Sequence, residues 1–395
     1  MSRAAVCLLL AAAPAVPYAA ILGYMTPPQP LTEARIASEA GAERAAWQAY
    51  LDRSRTLLEA DKAALAAERA GGPYPDAAPH KGGAGGMPSN RPAAWYGTPE
   101  ARHVADNILS FQTPAGGWGK NVDRTGPVRQ RGQHYVSFDG GRESWNFVGT
   151  IDNNATMTEL RFLARVQAQL PGAEGQAYRA AFARGVRYLL NAQYPNGGFP
   201  QIYPLQGGYH DAITYNDDAF SNVVQLLREV AARQDDYAFV PEALASESRA
   251  AAEKAIRVIL ATQIVADGMR TGWCQQHDAL TLAAVGARNF EPIALASNES
   301  ARLLLLLMQL PDPSAEVVAA VHAGAAWLKR TALPGGNWAR FYDVQTMKPI
   351  FGDRDRSIHD TIDEISEERR KGYGWFVTGP EKALKTYASW AAKRP

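Results

Sequence analysis

Val186-Arg187-Tyr188-Leu189-Leu190-Asn191-Ala192-Gln193-Tyr194-Pro195-Asn196-Gly197-Gly198-Phe199 changes character halfway. Its first half carries apolar residues at helical spacing, two glycines then break the helix, and an aromatic residue follows. The layout recurs three more times. Asp106 to Gln112 precedes Gly116, Gly117 and Trp118; Ile256 to Gln263 precedes Gly268, Gly272 and Trp273; Ala325 to Arg330 precedes Gly335, Gly336 and Trp338. The turns return at roughly 65 to 80 residues, room for a helix out, a helix back and a loop. Such a unit cannot bury its apolar face alone and must pack on its neighbours. Few strand-like alternations interrupt the pattern. The expected fold is all-α, an α/α toroid built as an incomplete ring of helix pairs, with long irregular loops forming a groove at one end.

Outward from the repeats, the 395-residue chain is long enough for a large core. Lys and Arg total 41 against 40 Asp and Glu, so the basic footprint of a nucleic-acid binder is missing. An anionic ligand would have to be held by local cations. Arg3, the apolar run Ala4 to Val16, and the small Ala19 and Ala20 read as an export signal over residues 1–20. The rival reading is a buried N-terminal helix. The run is too short to span a bilayer, so no membrane association is expected once it is removed. Removal takes Cys7 and leaves Cys274 alone, which rules out an internal disulfide and cysteine-held zinc. Residues 21–94 read as a linker, a helical lead-in with Trp47, Tyr50, Leu51 and Leu65 at helical spacing, and a Gly/Pro-rich loop; residues 95–395 form the toroid domain. The mature protein is expected to be a secreted or periplasmic monomer.

The unusual polar residues lie in the loops after the helices. Asp152, Asn153, Asp217 and Asp218 are hard-oxygen donors suited to Ca2+ if the fold gathers them. Asp and Asn ahead of a helical run are equally the residues of N-caps. Lys120, Arg124, Arg288, Arg354, Arg356, Arg369 and Arg370 sit in or beside the same loops. Arginine forks suit the carboxylates of a polyanionic sugar chain; solvated surface is the plainer reading, and Arg369 and Arg370 have Asp363, Glu367 and Glu368 nearby as alternative partners. Trp118, Tyr203, Tyr209, Trp273, Trp338, Tyr373 and Trp375 are either sugar platforms or core. His277 beside Asp278 could suggest acid-base work but reads as a structural or groove-positioning pair.

Taken in order, the strings GGWGKN (116–121), TIDNNAT (150–156), NAQYPNGGFPQIYPL (191–205), ITYNDDAF (213–220), WCQQHDALTL (273–282), ARNFEP (287–292) and ERRKGYGW (368–375) resemble the pectate lyases of polysaccharide lyase family ten. The resemblance implies an α/α toroid, dependence on Ca2+, and cleavage of α-1,4-linked polygalacturonate by β-elimination. It implies that Asp152, Asn153 and Asp217 form the metal and substrate-carboxylate site. It further implies that Arg288 and Arg354 grip carboxylates, that Lys120 and Tyr373 touch substrate, and that Arg369 or Arg370 is the catalytic base.

The chemistry is consistent with that residue set. Elimination removes the C5 proton next to a uronate carboxylate and expels the oxygen on C4. An ionised carboxylate acidifies its neighbour poorly, so cations on that carboxylate are needed to stabilise the enolate-like state. Arginine is an awkward base, with a free pKa of roughly 12.5 to 13.8, and an alkaline optimum is expected. The rivals are an α/α-toroid glycoside hydrolase using Asp152 and Asp217, a non-catalytic pectin-binding protein, and a terpene cyclase. The last is suggested by Gln112 to Trp118 but lacks an Asp-x-Asp-Asp donor.

Overall fold

A computed structural model describes residues 21–75, 78–82, 84–137 and 148–394. The expected signal, with Cys7, lies outside the described residues. The helices are α1 (Glu33–Glu39), α2 (Arg44–Arg69), α3 (Pro99–Ser110), α4 (Met157–Ala168), α5 (Gln176–Ala192), α6 (Ala219–Ala232), α7 (Glu242–Ala261), α8 (Ser297–Met308), α9 (Ala315–Arg330), α10 (Glu367–Gly372) and α11 (Gly379–Ala391). Strands are two or three residues long and only tie loops together. No helix among the described residues is long and apolar enough to cross a membrane.

Two rows of helices make the body. In one row α4 packs on α6 and α6 on α8; in the other α3 packs on α5, α5 on α7 and α7 on α9; α11 closes the end of both rows against α8 and α9. The rows are joined by α4 against α5, α6 against α7 and α8 against α9. This is the α/α toroid of helix pairs that the repeat predicts. Helix α6 shows why it holds: Phe220, Val223, Val224, Leu227 and Val230 fall on one stripe and are wholly buried.

The repeated turns act as rivets between units. Gln112 donates its amide to the Gly116 carbonyl at 2.8 Å and to Ala181 of the next outer helix at 2.9 Å. Gln193 does the same to Gly197 and Ala251, and Gln263 to Thr271 and Ala320. The aromatic residue after each turn drops into the unit's own helix: the indoles of Trp118, Trp273 and Trp338 donate to the carbonyls of Ile108, Ile259 and Leu328 at 2.7, 2.7 and 2.8 Å. Phe199 is buried at the corresponding place. Gly116 and Gly197 share φ of 104°, and a side chain on either would strike the next outer helix at 2.7 Å. Trp118, Tyr203, Trp273, Trp338 and Trp375 are therefore core, because each is buried, and the platform reading fails for them.

Gln263→Ala is expected to lower stability by about 2–3 kcal/mol, since it strands two buried carbonyls. Urea melts of the two proteins check this.

The lead-in is not a detached module. Trp47, Tyr50 and Leu51 join the main core, with Tyr50 packed on Tyr194 at 4.8 Å between ring centres. The Tyr50 hydroxyl donates to the Ala192 carbonyl at 3.0 Å.

Candidate active site

Asp152 and Asp217 lie far apart in sequence and meet in space. Each sits in a single 3-10 turn at the start of a helix of the same row, Asp152–Asn154 before α4 and Asn216–Asp218 before α6, and the two turns pack together. Their backbones are copies of each other. Asn153 and Asp217 both have φ 51° and ψ 35°, and Asn154 and Asp218 follow with φ of 63° and 62°. Left-handed backbone is tolerated best by Asn, Asp and Gly, which explains the run of those residues. The capping alternative is not realised, because neither α4 nor α6 takes a side-chain cap bond. These carboxylates are held in place and left for other work.

Lys120, two residues after Trp118, pairs with Asp152 at 2.8 Å. Arg340 stands at the same distance after Trp338, the fourth unit's aromatic, and reaches Glu299 at 3.2 Å and the Asn216 side-chain oxygen at 3.4 Å. Repeat position alone would have found Arg340, which sequence reasoning missed. Burial, then the negative charge of Asp152, pushes the Asp217 carboxyl above its usual range, and Arg340 and Arg288 only partly offset this. Burial likewise raises Glu299 beside Arg340.

Next to the carboxylates lies a cluster of arginines around one ring. Arg369, Arg288 and Arg354 stand 4.3, 4.8 and 5.4 Å from the centre of Phe290. Arg288 forks onto Glu291 at 2.8 and 2.5 Å, and the Tyr373 hydroxyl donates to the same carboxylate at 2.7 Å. Burial pulls the Arg288 guanidinium down but Glu291 overrides it, so its proton is held more tightly than usual. Arg354 and Arg369 share Glu368, which Arg369 first and Arg354 second hold down at about 2. Glu291 and Glu299 were also missed from sequence.

The remaining candidates fall away. Arg370 is exposed and faces Asp363 at 3.5 Å, the local partner weighed for it. Arg124 is buried and paired with Glu159 at 3.0 Å, so it cannot grip a ligand. Asp218 pairs with Arg302 at 3.2 Å. His277 donates from Nδ1 to the Leu282 carbonyl, and burial lowers its pKa to about 4. It is a neutral structural residue, as expected. Tyr209 and Tyr373 alone of the seven aromatics are not fully buried.

The donor set fits a divalent cation. Two carboxylates and the neighbouring Asn153 amide are hard oxygen donors, and the Asp217 carboxyl, raised by burial and then by Asp152, would be eased by a cation between the two acids. Among the described residues no three acidic, His or Cys side chains gather into a metal cage. A cation here would need oxygens from water or a ligand.

Residues 112–337 and 334–384 match the family model described as pectic acid lyase. The chain is similar to the solved structure of a family 10 polysaccharide lyase from Cellvibrio cellulosa, with 32% identity and a TM-score of 0.66, over 76% of this chain and 96% of that one. It is similar to an aspartate-to-alanine mutant of a family 10 polysaccharide lyase from Cellvibrio cellulosa in complex with trigalacturonic acid, with 31% identity and a TM-score of 0.66, over 75% and 95%. No curated protein matches the chain.

Proposed function

This chain belongs to the pectic acid lyase family, and from that premise we propose that it cleaves α-1,4-polygalacturonate by Ca2+-assisted β-elimination with an arginine base, as an exported monomer. The convergence of Asp152 and Asp217 in two paired turns facing Arg288 and Arg340 carries the reading. Asp152, Asn153 and Asp217 would hold Ca2+. When bound, the cation would neutralise a uronate carboxylate and so make the neighbouring C5 proton easier to remove.

The chain's own residues do the rest. Lys120 and Arg340 bring positive charge to either side of the carboxylate pair, Arg288 stands beside the uronate that the pair would hold, and Arg354 offers a fork to a substrate carboxylate further along. Tyr373 holds Glu291 and with it the Arg288 fork. The base takes the proton from C5, the C4–O bond breaks, a C4=C5 double bond forms, and the leaving oxygen takes a proton from water.

For the base, geometry favours Arg288 over Arg369 and Arg370. A base must reach the substrate beside the carboxylate site. The Arg288 side chain is 45% exposed and lies in the field of Asp217; Arg340 shares that field but is 13% exposed, Arg369 is 6% exposed, and Arg370, 37% exposed, faces Asp363 instead. In the resting protein Glu291 keeps Arg288 charged, so the fork must loosen and the guanidinium must give a proton to solvent before it can take the one from C5. This supports an alkaline optimum.

Incubation with polygalacturonate and Ca2+ tests the function. Ultraviolet absorbance from the conjugated product is expected to rise and to stop on adding chelator. New reducing ends without absorbance would favour hydrolysis by Asp152 and Asp217, and binding without shortening would leave a pectin-binding protein.

A further inference from the structure

The first forty residues contain a strap that the family match, which starts at residue 112, does not include. Residues 21–40 run along the loops that carry the site. Gly23 and Tyr24 pair antiparallel with Ile358 and Ser357, flanked by bonds from the Leu22 and Met25 amides to Ile358 and Arg356, each at 2.8 Å. This adds a third strand to the hairpin formed by Phe351–Gly352 and Ser357–His359, whose tip bears Arg354. Met25 is buried against Gly286, two residues before Arg288; a side chain at Gly286 would meet Met25 at 3.0 Å. The Leu31 amide donates to Asp211 at 3.3 Å.

Arg35 makes the most consequential contact. Its guanidinium pairs with Asp278 at 2.9 Å, with side chains only 13% and 8% exposed. Asp278 also accepts from the Leu280 and Thr281 amides at 3.0 and 2.9 Å, closing the turn between strands Gln276–His277 and Ala284–Val285. Gln276–His277 is the middle strand of a sheet whose other edge is Ile213–Thr214. Thr214 lies three residues before Asp217, and Val285 three before Arg288. Arg35 therefore clamps the turn between the supports of both groups.

We propose that this strap is a positioning element of the substrate groove, in which Arg35, through Asp278, sets the separation of Arg288 from Asp217. The inference rests on the lyase reading of that site. Loops that carry function are the more mobile parts of a fold, and a binding constellation works only when its supports are rigid. The strap supplies that support from outside the matched family body. Arg35 touches no reacting atom in this scheme.

The test uses full-length Arg35→Met, which keeps the stem of the side chain. KM for polygalacturonate, and the calorimetric Kd for trigalacturonate, are expected to rise about tenfold, as for loss of a supporting contact behind a ligand-holding residue. The kcat should fall by at least a similar factor, because the residue displaced is also the proposed base. Arg35→Lys should fall between the two. Arg187→Met, which breaks the exposed pair with Glu247, should change neither constant. Asp278→Asn should reproduce the Arg35→Met effect, and the double variant should add little to either. If Arg35→Met fails to fold, the Asp278→Asn comparison decides alone. A lower melting temperature with KM and Kd unchanged would overturn the proposal. A parent that binds trigalacturonate without forming unsaturated product would sink the elimination reading, while the affinities would still decide the strap. A parent that does not bind it would overturn both.

Discussion

Asp217→Ala is expected to lower kcat/KM on polygalacturonate about a thousandfold, in line with loss of a ligand to the cation that would stabilise the developing negative charge. Its side chain accepts a bond from its neighbour Asn216 at 2.9 Å, and it caps no helix, so the fold should survive. The stability effect has a definite sign. Burial and Asp152 raise the Asp217 carboxyl in the folded state, which means the ionised form is disfavoured there. Above the raised pKa this charge destabilises the protein; below the unfolded pKa of about 3.9 both states are protonated and the effect vanishes. The variant should therefore melt at the same temperature or higher at neutral pH without Ca2+, while losing activity. Protonation of Asp217 also competes with a cation, so the Ca2+ needed for half-maximal activity should rise as pH falls, starting above the usual carboxylate range. Ultraviolet rate assays across pH and Ca2+ concentration, with melting curves, check both. Retained activity would remove Asp217 from the site, and a sharp drop in melting temperature would make it a structural residue.

Arg288→Ala should reduce kcat by roughly a hundredfold to ten-thousandfold, the usual range for loss of a general base. Added guanidine should restore part of the rate. Arg370→Ala should change kcat by less than about threefold, because an exposed pair such as Arg370 with Asp363 contributes little. Arg369→Ala should show mainly as lost stability. Its side chain is buried over Phe290, so truncation removes packing there. The three variants separate base from scaffold. If Arg288→Ala keeps its kcat while Arg369→Ala or Arg370→Ala loses it with the fold intact, the base belongs at the C-terminal arginines.

These predictions turn on contacts that sequence exposes unevenly. Apolar stripes such as that of α6 and the Gly116 and Gly197 turns are local signals, and they were legible because helix period and positive-φ glycine act over a few residues. The Asp152 and Asp217 turns were legible as motifs, though capping remained open until their helices proved uncapped. Trp118 and Trp375 were ambiguous because an aromatic after a glycine turn has the same local sequence whether it faces groove or core. Glu299 gave little signal, since its partner Arg340 is 41 residues away; Arg340 was legible only through its place two residues after the fourth aromatic, and Glu291, three residues from Arg288, showed its charge but not its burial. The strap gave less still, because Arg35 and Asp278 are 243 residues apart.

By itself, then, the amino-acid order determined the helical repeat, its turns and the polar loops between them, all of which depend on neighbours within a turn or two of chain. Tertiary structure alone decided which acids meet, which arginines face them, and that the N-terminal segment braces their loops. Charge and burial act through space, and packing sets which distant residues share that space.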